Sequence, residues 1–305
     1  MAATHSQTLP YFCDPAEIPG PLPSLEEIED AKETLPGYFE HGYEKVVRIR
    51  DKFVVKYGVT PWVSKNEGHA LLLLRQHPSI PVPRLYAMYR EGDMLFLIME
   101  FKEGIQLSEV WKNMSEADKV NITGQLRDIL TQIRSIPSPG IFAGVSGGPL
   151  RHRFFLSRTP EPDVNGPFHD EKNFGMAMAI RSKRLRDDHP EHRAWVAEFF
   201  ARHLPTALAG HSSVFTHADL QRKNILVFKV PPASAEGSGG GGSPWRVSAI
   251  VDWEDAGWYP SYWEYAGSFA SFAWEDDWPE KFERIVEPCP LEAGLLKFVR
   301  QDFDY

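Results

Sequence analysis

Short apolar runs rich in β-branched residues begin just after residue 43, and they predict a small sheet. Residues 45–49 and 52–57 carry valines and aromatic side chains, and the pair Arg50-Asp51 separates them. Such runs on either side of a tight turn predict a hairpin. Residues 84–90 and 94–101 predict a second strand pair, with Glu91-Gly92-Asp93 as its turn.

Between the two strand pairs the spacing of apolar residues becomes helical. Ala70, Leu71 and Leu74 belong to this pattern, which predicts a helix over residues 64–76. Pro78 and the prolines that follow it end the helix. Strands with one intervening helix predict a small α+β lobe.

From residue 104 onward the apolar spacing is mainly helical. A stretch rich in proline and glycine, residues 137–149, interrupts it, and the aromatic-rich part from Trp258 onward is also expected to be helical. The predicted helices cover residues 107–114, 118–136, 173–188 and 190–203, and two further strands cover residues 224–230 and 245–251.

These patterns divide the chain into three parts. Residues 1–35 are rich in proline and acidic residues and predict a loosely packed lead-in, with a helix over 24–33 capped by Ser24. Residues 36–102 form the small β-rich lobe, and residues 103–305 form a larger, mainly helical lobe. Residues 231–244 are expected to be a flexible loop, either natural or an engineered replacement, because they contain the Gly/Ser run 237–243.

Composition narrows the class of protein. Hydrophobic residues make up 42% and aromatic residues 12% of the 305 residues, which is enough for a sizeable core. The formal net charge of −9 argues against a nucleic-acid binder and against docking on anionic membranes. Cys13 and Cys289 lie near opposite ends, so neither a disulfide framework nor a zinc site is expected. We expect a monomeric cytoplasmic protein without a signal peptide or membrane span.

The most informative motif is H-x-D-x-x-x-x-N, which His217, Asp219 and Asn224 form just before an apolar strand. Phosphoryl transfer needs a carboxylate beside the attacking hydroxyl and an oxygen ligand for Mg²⁺ close by. Asp219 would supply the first and Asn224 the second, while His217 would brace the loop by hydrogen bonds to backbone. The alternative is that Asp219 and Asn224 only form turns and cap the strand.

A second carboxylate motif ends the next predicted strand. Residues 247–251 lead into Asp252-Trp253-Glu254. Because hard cations prefer oxygen ligands, Asp252 at the strand tip is a candidate second ligand for Mg²⁺. Taken alone, Asp252 would more simply cap the next turn.

The small lobe contributes a candidate phosphate ligand. Lys56 is the one cation in the run Phe53-Val54-Val55-Lys56, and it could reach phosphate oxygens from the sheet. Glu67, early in the following helix, could pair with Lys56 and orient it. A solvated strand lysine, and a first-turn acid favoured by the helix dipole, are the alternatives.

With these motifs in place, the chain resembles the aminoglycoside phosphotransferase/choline kinase family, a small-molecule branch of the protein-kinase-like fold. The resemblance runs from about residue 43 to about residue 290 and implies two lobes, a small β-rich N-lobe and a larger, mainly helical C-lobe. It rests on residues 54–58, 79–84, 98–101, 217–224 and 250–254, and residues 257–260 and 262–266 resemble the fungal members in particular.

The resemblance also implies roles. Asp219 would be the catalytic base, Asn224 and Asp252 would hold Mg²⁺, and Lys56, oriented by Glu67, would contact the α- and β-phosphates of ATP. GTP is the alternative donor.

For the purine, the resemblance implies a hinge at Glu100 and Phe101, with Met99 at the back of the pocket. Glu264 stands where the family often has an aspartate, in a segment expected to be structural.

Two departures from the related protein kinases bear on this assignment. Residues 37–43, in the place of a phosphate-covering loop, lack the G-x-G-x-x-G pattern. Asp252-Trp253-Glu254 stands where Asp-Phe-Gly would stand, so a mobile switch of that kind is not expected.

The acceptor would be a small hydroxylated molecule between Asp219 and the helical lobe. Acids and aromatic rings would suit a cationic or amino-bearing acceptor. Alternatively, the aromatic residues are core and the acids are a solvated face. The candidate lining residues are Glu254, Asp255, Trp258, Trp263, Glu275, Asp276 and Asp277.

Two other functions compete with a small-molecule kinase. A protein kinase would carry a long activation segment ending in Ala-Pro-Glu, and no such tripeptide follows Asp252. A nucleotide-binding pseudokinase or kinase-like regulator would act through interaction rather than turnover, yet Lys56, Asp219, Asn224 and Asp252 are all present.

Overall fold

The computed structural model describes residues 8–35, 43–157, 159, 161–185, 190–230, 244–272 and 275–304. Its first part is an antiparallel sheet of five strands in the order β1-β4-β5-β3-β2, flanked by two helices. The strands are β1 (Tyr11–Phe12), β2 (Glu44–Ile49), β3 (Phe53–Val59), β4 (Leu85–Glu91) and β5 (Met94–Glu100), and the helices are α1 (Leu25–Glu29) and α2 (Lys65–Leu74).

Both predicted strand pairs are confirmed. Arg50 and Asp51 have φ values of 53° and 54°, the left-handed conformation that a two-residue hairpin turn requires. In β3, side chains alternate between the two faces. Phe53 and Val55 are fully buried, whereas Lys56 lies on the face that meets the second part of the chain.

The predicted helix between the strand pairs is also confirmed, although it is shorter. Ser64 caps α2 by accepting a hydrogen bond from the Asn66 N–H at 3.1 Å. The helix packs closely on β4. A Cβ on Gly68 would lie only 2.5 Å from Met88 Sδ, so any larger residue at this position would displace the Met88 side chain. This close approach fixes Glu67 in the first turn, facing Lys56.

The lead-in is bound to the sheet, so its predicted loose packing is wrong for the described residues. Tyr11 pairs with Met88 in an antiparallel ladder and makes β1 an edge strand. Ser24 and Glu27 form a reciprocal capping box at the start of α1, which is shorter than the predicted helix. Glu27 also binds Arg50 at 2.7 Å.

The second part of the chain is mainly helical and carries two small antiparallel sheets, β10-β9-β6 and β7-β11-β8. Its strands are β6 (Ile105–Gln106), β7 (Ala143–Gly144), β8 (Ser213–Thr216), β9 (Ile225–Lys229), β10 (Trp245–Ile250) and β11 (Gly257–Pro260). Its helices are α3 (Leu107–Val110), α4 (Glu116–Arg134), α5 (Pro162–Asn165), α6 (Glu171–Arg184), α7 (Pro190–Ala207), α8 (Trp263–Ser271), α9 (Trp278–Phe282) and α10 (Pro290–Phe303).

The helix expected from Trp258 onward begins later, at Trp263. Residues Gly257–Pro260 form β11, which lies between β7 and β8. The backbones approach so closely that a Cβ on Gly257 would lie 2.6 Å from the Ala143 carbonyl oxygen. This pairing depends on distant segments, and for that reason local spacing does not reveal it.

An aromatic cluster forms the core behind β11. The Trp263 ring lies 5.2 Å from Phe174, 5.4 Å from Phe155 and 5.2 Å from Tyr259, measured between centroids. All four residues are fully buried. No helix among the described residues combines the length and the apolar character that crossing a lipid bilayer would need.

Two sequence features fall largely outside the described residues. The Gly/Ser run 237–243 is one, and the segment compared with a phosphate-covering loop, residues 37–42, is the other. Their predicted character stays a prediction.

Candidate active site

The H-x-D-x-x-x-x-N motif forms a loop, residues 217–224, between β8 and β9, which we call the catalytic loop. Ala218 within it has φ 69°, and Asp252 after β10 has φ 64°. Left-handed backbone at a residue other than glycine costs about 1–2 kcal/mol, and it persists where surrounding contacts hold it. Both positions therefore lie where the fold fixes an unusual backbone.

His217 connects the catalytic loop to the strand before Asp252. Its Nδ1 accepts a hydrogen bond from the Asp219 N–H at 3.2 Å, so its Nε2 carries the proton donated to the Val251 carbonyl oxygen at 3.0 Å. Burial lowers the pKa of His217 and favours this neutral form. On the other side, Glu264 Oε2 accepts the His217 backbone N–H at 2.8 Å.

Asp219 is held by its own loop. Asn224 Nδ2 donates to Asp219 Oδ2 at 3.0 Å and to its carbonyl oxygen at 2.9 Å. Lys223 Nζ lies 3.7 Å from the same carboxylate oxygen. Burial raises the pKa of Asp219 above its usual value, while Lys223 opposes that shift. Asn224 therefore turns its amide nitrogen to Asp219, which leaves its amide oxygen as a ligand atom.

Lys56 is buried and surrounded by four carboxylates. Its Nζ lies 2.8 Å from Glu254, 3.2 Å from both Glu67 and Asp252, and 3.5 Å from Glu44. Burial disfavours the ammonium, but these carboxylates outweigh it and raise the pKa of Lys56 well above its ordinary value.

The carboxylates around Lys56 differ in their titration. Burial raises the pKa of Glu67 to about 7, with further increases from Asp252 and Glu254. Burial acts in the same direction on Asp252, but Lys56 outweighs it and holds that pKa below its usual range. Carboxylate oxygens of Glu67, Asp252 and Glu254 lie within 4.8 Å of one another. Hard cations bind oxygen donors of this type.

Asn66 anchors the segment after Asp252, and its function was not predicted from the sequence. Its Nδ2 donates to the carbonyl oxygens of Glu254 at 2.9 Å and Ala256 at 2.7 Å. Its Oδ1 accepts the Val145 N–H at 3.0 Å. One buried amide on α2 therefore fixes the position of Glu254 relative to the sheet.

A cavity of about 410 Å³ lies between the five-stranded sheet and the catalytic loop. Its walls include all five residues that the sequence predicted to bind nucleotide and both residues that it predicted to bind Mg²⁺. These residues are Lys56, Glu67, Met99, Glu100, Phe101, Asn224 and Asp252.

A second cavity of about 810 Å³ lies on the other side of the loop. Asp219, Glu254 and Asp255 line it, and Lys223 lines both cavities. Burial, with the charges of Glu254 and Asp219, raises the pKa of Asp255 well above its ordinary value. The acceptor was predicted to lie here, beside Asp219.

The other predicted acceptor residues do not line this second cavity. Trp258 and Trp263 are buried, with their rings packed in the aromatic core, so their assignment to the cavity wall is corrected. Asp276 pairs with Arg222 at 2.7 Å, and Asp277 pairs with Lys119 at 2.8 Å.

Glu275, the remaining predicted acid, is exposed, and it does not line the second cavity either. The three acids are therefore not part of the wall of the second cavity.

Sequence reasoning missed three arginines and an aromatic pair in the second cavity. Arg151, Arg153 and Arg300 line it, as do Tyr43 and Trp62. The spacing Arg-His-Arg at 151–153 was the only local signal, and the fold brings Arg300 to it from α10.

The fold is similar to that of solved aminoglycoside phosphotransferases. The apo form of a thermostable mutant of aminoglycoside phosphotransferase APH(4)-Ia is 15% identical, with a TM-score of 0.57 over 92% of this chain and 90% of that chain. A variant of it in ternary complex with ADP and hygromycin B has a TM-score of 0.56 at the same identity and coverage. ADP-bound APH(2'')-Ib is 14% identical, with a TM-score of 0.53 over 88% and 79% of the two chains.

At these identities the structural similarity shows the fold alone. A comparison with curated proteins found no significant match. The family model described as the phosphotransferase enzyme family matches residues 39–287, which is most of the chain and includes every site residue predicted from the sequence. The chain therefore belongs to the phosphotransferase enzyme family and has the protein-kinase-like fold of the aminoglycoside kinases.

Proposed function

We propose that this chain transfers the γ-phosphoryl group of ATP to a hydroxyl group of a small molecule. One observation carries the proposal: two cavities meet at the catalytic loop. Asp219 borders the larger cavity, Asn224 borders the smaller one, and Lys223 borders both. A phosphoryl donor and an acceptor in these cavities would meet beside Asp219.

The nucleotide would bind in the smaller cavity. Its adenine would lie against Met99 at the back of the cavity, with the backbone of Glu100 and Phe101 beside the purine edge. Its phosphates would lie toward Lys56, the buried cation of that cavity. Glu67, 3.2 Å from Lys56, would keep the ammonium directed at the phosphates.

The residues present fit a magnesium ion. Asp252 offers carboxylate oxygens and Asn224 an amide oxygen, and both border the nucleotide cavity. Oxygen ligands of this kind are the ones that Mg²⁺ prefers. When bound, the ion would offset negative charge on the phosphates. Asn224 and Asp252 would hold it.

In the transfer step, the acceptor oxygen attacks the γ-phosphorus. The bond from that phosphorus to the β–γ bridging oxygen breaks, and ADP leaves. The proton of the acceptor hydroxyl passes to a carboxylate oxygen of Asp219. Asn224 orients that carboxylate through the 3.0 Å hydrogen bond, and His217 fixes the loop backbone from behind.

The finer expectations from the sequence belong to the same proposal. ATP is the donor, with GTP as the alternative, and the protein acts as a cytoplasmic monomer without nucleic-acid or membrane partners. Protein residues for each required function are present, which favours turnover over a purely regulatory pseudokinase.

A transfer assay tests the proposal. The protein is incubated with ATP, Mg²⁺ and a panel of amino alcohols, sugars, aminoglycosides and hydroxylated acids, and products are detected by mass spectrometry. We expect an acceptor heavier by one phosphoryl group and one ADP for each product formed. Nucleotide binding without a phosphorylated product would support the pseudokinase, and absence of both binding and transfer would refute the assignment.

A further inference from the structure

Three arginines form one wall of the larger cavity. Arg151 and Arg153 come from the segment before α5, and Arg300 comes from α10. Guanidinium groups bind carboxylates and phosphates through paired N–H donors in a fixed geometry. Their convergence on a cavity that also contains Asp219 raises the question of what they bind.

The hydrogen bonds within the protein do not use up these donors. Arg153 and Arg300 share one carboxylate, that of Asp304, at 2.9 and 3.2 Å. Arg300 also donates to the Ala270 carbonyl oxygen at 3.0 Å. Arg151 donates to the Pro61 carbonyl oxygen, while its buried Nε has no partner among the residues that the structure describes.

The acids of the cavity already have cations close to them. Glu254 lies 2.8 Å from Lys56, and Asp219 lies 3.7 Å from Lys223.

Asp255, the third acid, is close enough to Arg151 for their charges to attract each other. Among the residues that the structure describes, Arg153 and Arg300 share one carboxylate, that of Asp304, so this end of the cavity carries an excess of positive charge.

The surroundings of His152 show the same excess of positive charge. His152 lies between Arg151 and Arg153 and lines the cavity. Burial, together with the charges of Arg153, Arg181 and Arg300, lowers the pKa of His152 to about 3. This imidazole therefore stays neutral and adds no charge of its own.

The same cavity has an aromatic side. The rings of Tyr43 and Trp62 stack with centroids 5.6 Å apart and an interplanar angle of 18°, and both residues line the cavity. Stacked rings offer a flat apolar face to a ligand. The cavity thus combines a hydroxyl-activating carboxylate, a cationic wall and a flat apolar surface.

We propose that the acceptor is an anionic hydroxylated molecule, in the simplest case a hydroxycarboxylic acid, whose anionic group binds Arg151, Arg153 and Arg300. A flat or apolar part of the acceptor packs on Tyr43 and Trp62. This inference rests on the proposed phosphotransferase function and names its substrate class. An aminoglycoside carries protonated amines and would meet repulsion from the same arginines, so the proposal departs from the ligands named for the structural neighbours.

Matched ligands test the charge preference directly. 4-(Hydroxymethyl)benzoate, 4-(hydroxymethyl)benzamide and 4-(hydroxymethyl)benzylamine share one skeleton and one primary alcohol, and they are anionic, neutral and cationic. Their binding to the protein loaded with ADP and Mg²⁺ is measured by ligand-observed NMR, and their phosphorylation with ATP by mass spectrometry. A second triplet on an aliphatic skeleton separates the charge preference from the aromatic one. We expect the anionic member to bind at least tenfold more tightly than the other two.

Variants of the arginines then test whether these side chains cause the preference for an anionic ligand. Arg153→Gln should weaken binding of the anionic ligand about tenfold and leave the neutral ligand within twofold, while Arg153→Lys should lose less. Arg202→Gln removes an exposed arginine from α7 and serves as the matched control, which should retain the full preference. Thermal stabilisation by ATP and Mg²⁺ in each variant verifies that the nucleotide side is intact.

The outcomes separate the two proposals. Transfer to neutral or cationic acceptors without an advantage for the anionic members overturns the inference and leaves the phosphotransferase function standing. No anionic advantage in binding, including no binding of any ligand, also overturns the inference. If Arg202→Gln loses the preference for the anionic ligand to the same extent as Arg153→Gln, the preference comes from the overall charge of the protein. That result would also overturn the inference.

Discussion

Lys56 Nζ lies 2.8 Å from Glu254 Oε2, and this contact joins strand β3 of the five-stranded sheet to a residue 198 positions further along the chain. The ammonium is buried and shares its charge among four carboxylates. Nucleotide phosphates that approach Lys56 would therefore compete with acidic side chains already bound to it.

The first prediction follows from this competition. Glu254→Gln removes one negative charge 2.8 Å from Lys56 and keeps the shape of the side chain, so ATP measured in EDTA should bind several-fold more tightly. Isothermal titration calorimetry measures the dissociation constant. Glu198→Gln, on the exposed face of α7, is the control and should leave it unchanged. Unchanged or weaker binding in Glu254→Gln would show that the ion pair does not compete.

The second prediction concerns acid stability. The pKa of His152 is lowered from 6.5 to about 3 by burial and the neighbouring arginines, so the unfolded chain binds a proton that the folded protein rejects. The stabilising contribution of neutral His152 is complete above pH 6.5 and is lost as the pH falls from 6.5 toward 3.

His152→Asn keeps a side chain that can accept the Phe154 N–H but removes the titration. Between pH 6.5 and pH 5 the wild type should therefore lose about 1–2 kcal/mol more free energy of unfolding than the variant. Urea unfolding at a series of pH values measures both slopes. Parallel slopes would mean that His152 binds its proton as readily in the folded protein as in the unfolded chain.

The third prediction tests the proposed base. Asp219→Asn retains an oxygen that can accept the Asn224 hydrogen bond, but it cannot take a proton from the acceptor. Turnover should fall by about 10²–10⁴-fold, the range for loss of general-base catalysis, whereas ATP affinity should change little. Steady-state transfer and calorimetric titration give the two quantities. Near-normal turnover would refute the assignment, and Asp128→Asn on the exposed face of α4 is the control.

Local sequence patterns predicted those parts of the fold that local contacts determine. The hairpin at Arg50-Asp51 and the helix capped by Ser64 depend on residues a few positions apart, and both are confirmed. The edge strand at Tyr11 and the strand beginning at Gly257 are held by partners far along the chain. Neither has a strong periodicity of its own, so spacing alone could not reveal them.

The candidate site divides in the same way. The motif from His217 to Asn224 could be recognised in the sequence because its chemistry requires fixed residue types at fixed spacing. The wall formed by the three arginines could not be recognised in the sequence, because Arg153 and Arg300 come together only when α10 packs against the rest of the chain. Trp263 was misassigned because a buried aromatic core and an aromatic binding wall have the same composition.

The fourth prediction concerns the loop that contains the Gly/Ser run. Lys229 pairs with Trp245, and the Val230 N–H donates to the Pro244 carbonyl oxygen at 2.8 Å, so the strands on either side already meet. Replacing residues 231–243 with a short glycine-containing turn should leave transfer activity within about twofold, because closing a shorter loop costs little. A large loss of activity in a variant that unfolds at the normal temperature would assign a function to the loop.

The fifth prediction separates an effect on acceptor binding in the larger cavity from an effect on the free energy of unfolding. Gly267 lies in α8 and lines the cavity, and a Cβ there would lie 3.5 Å from Trp263 Nε1, an ordinary contact. Gly267→Ala should therefore raise the free energy of unfolding by about 0.5–1 kcal/mol through helix propensity. The added methyl group narrows the cavity, which Gly267 lines.

The acceptor KM of Gly267→Ala should therefore rise several-fold while the ATP KM stays the same. Gly124→Ala in α4 is the matched control, because a Cβ there meets nothing within 4 Å and the position lies outside both cavities. It should gain similar stability without a change in either KM. Equal acceptor KM values in the two variants would contradict the placement of the acceptor against α8, since both add the same methyl group and only one adds it to the cavity.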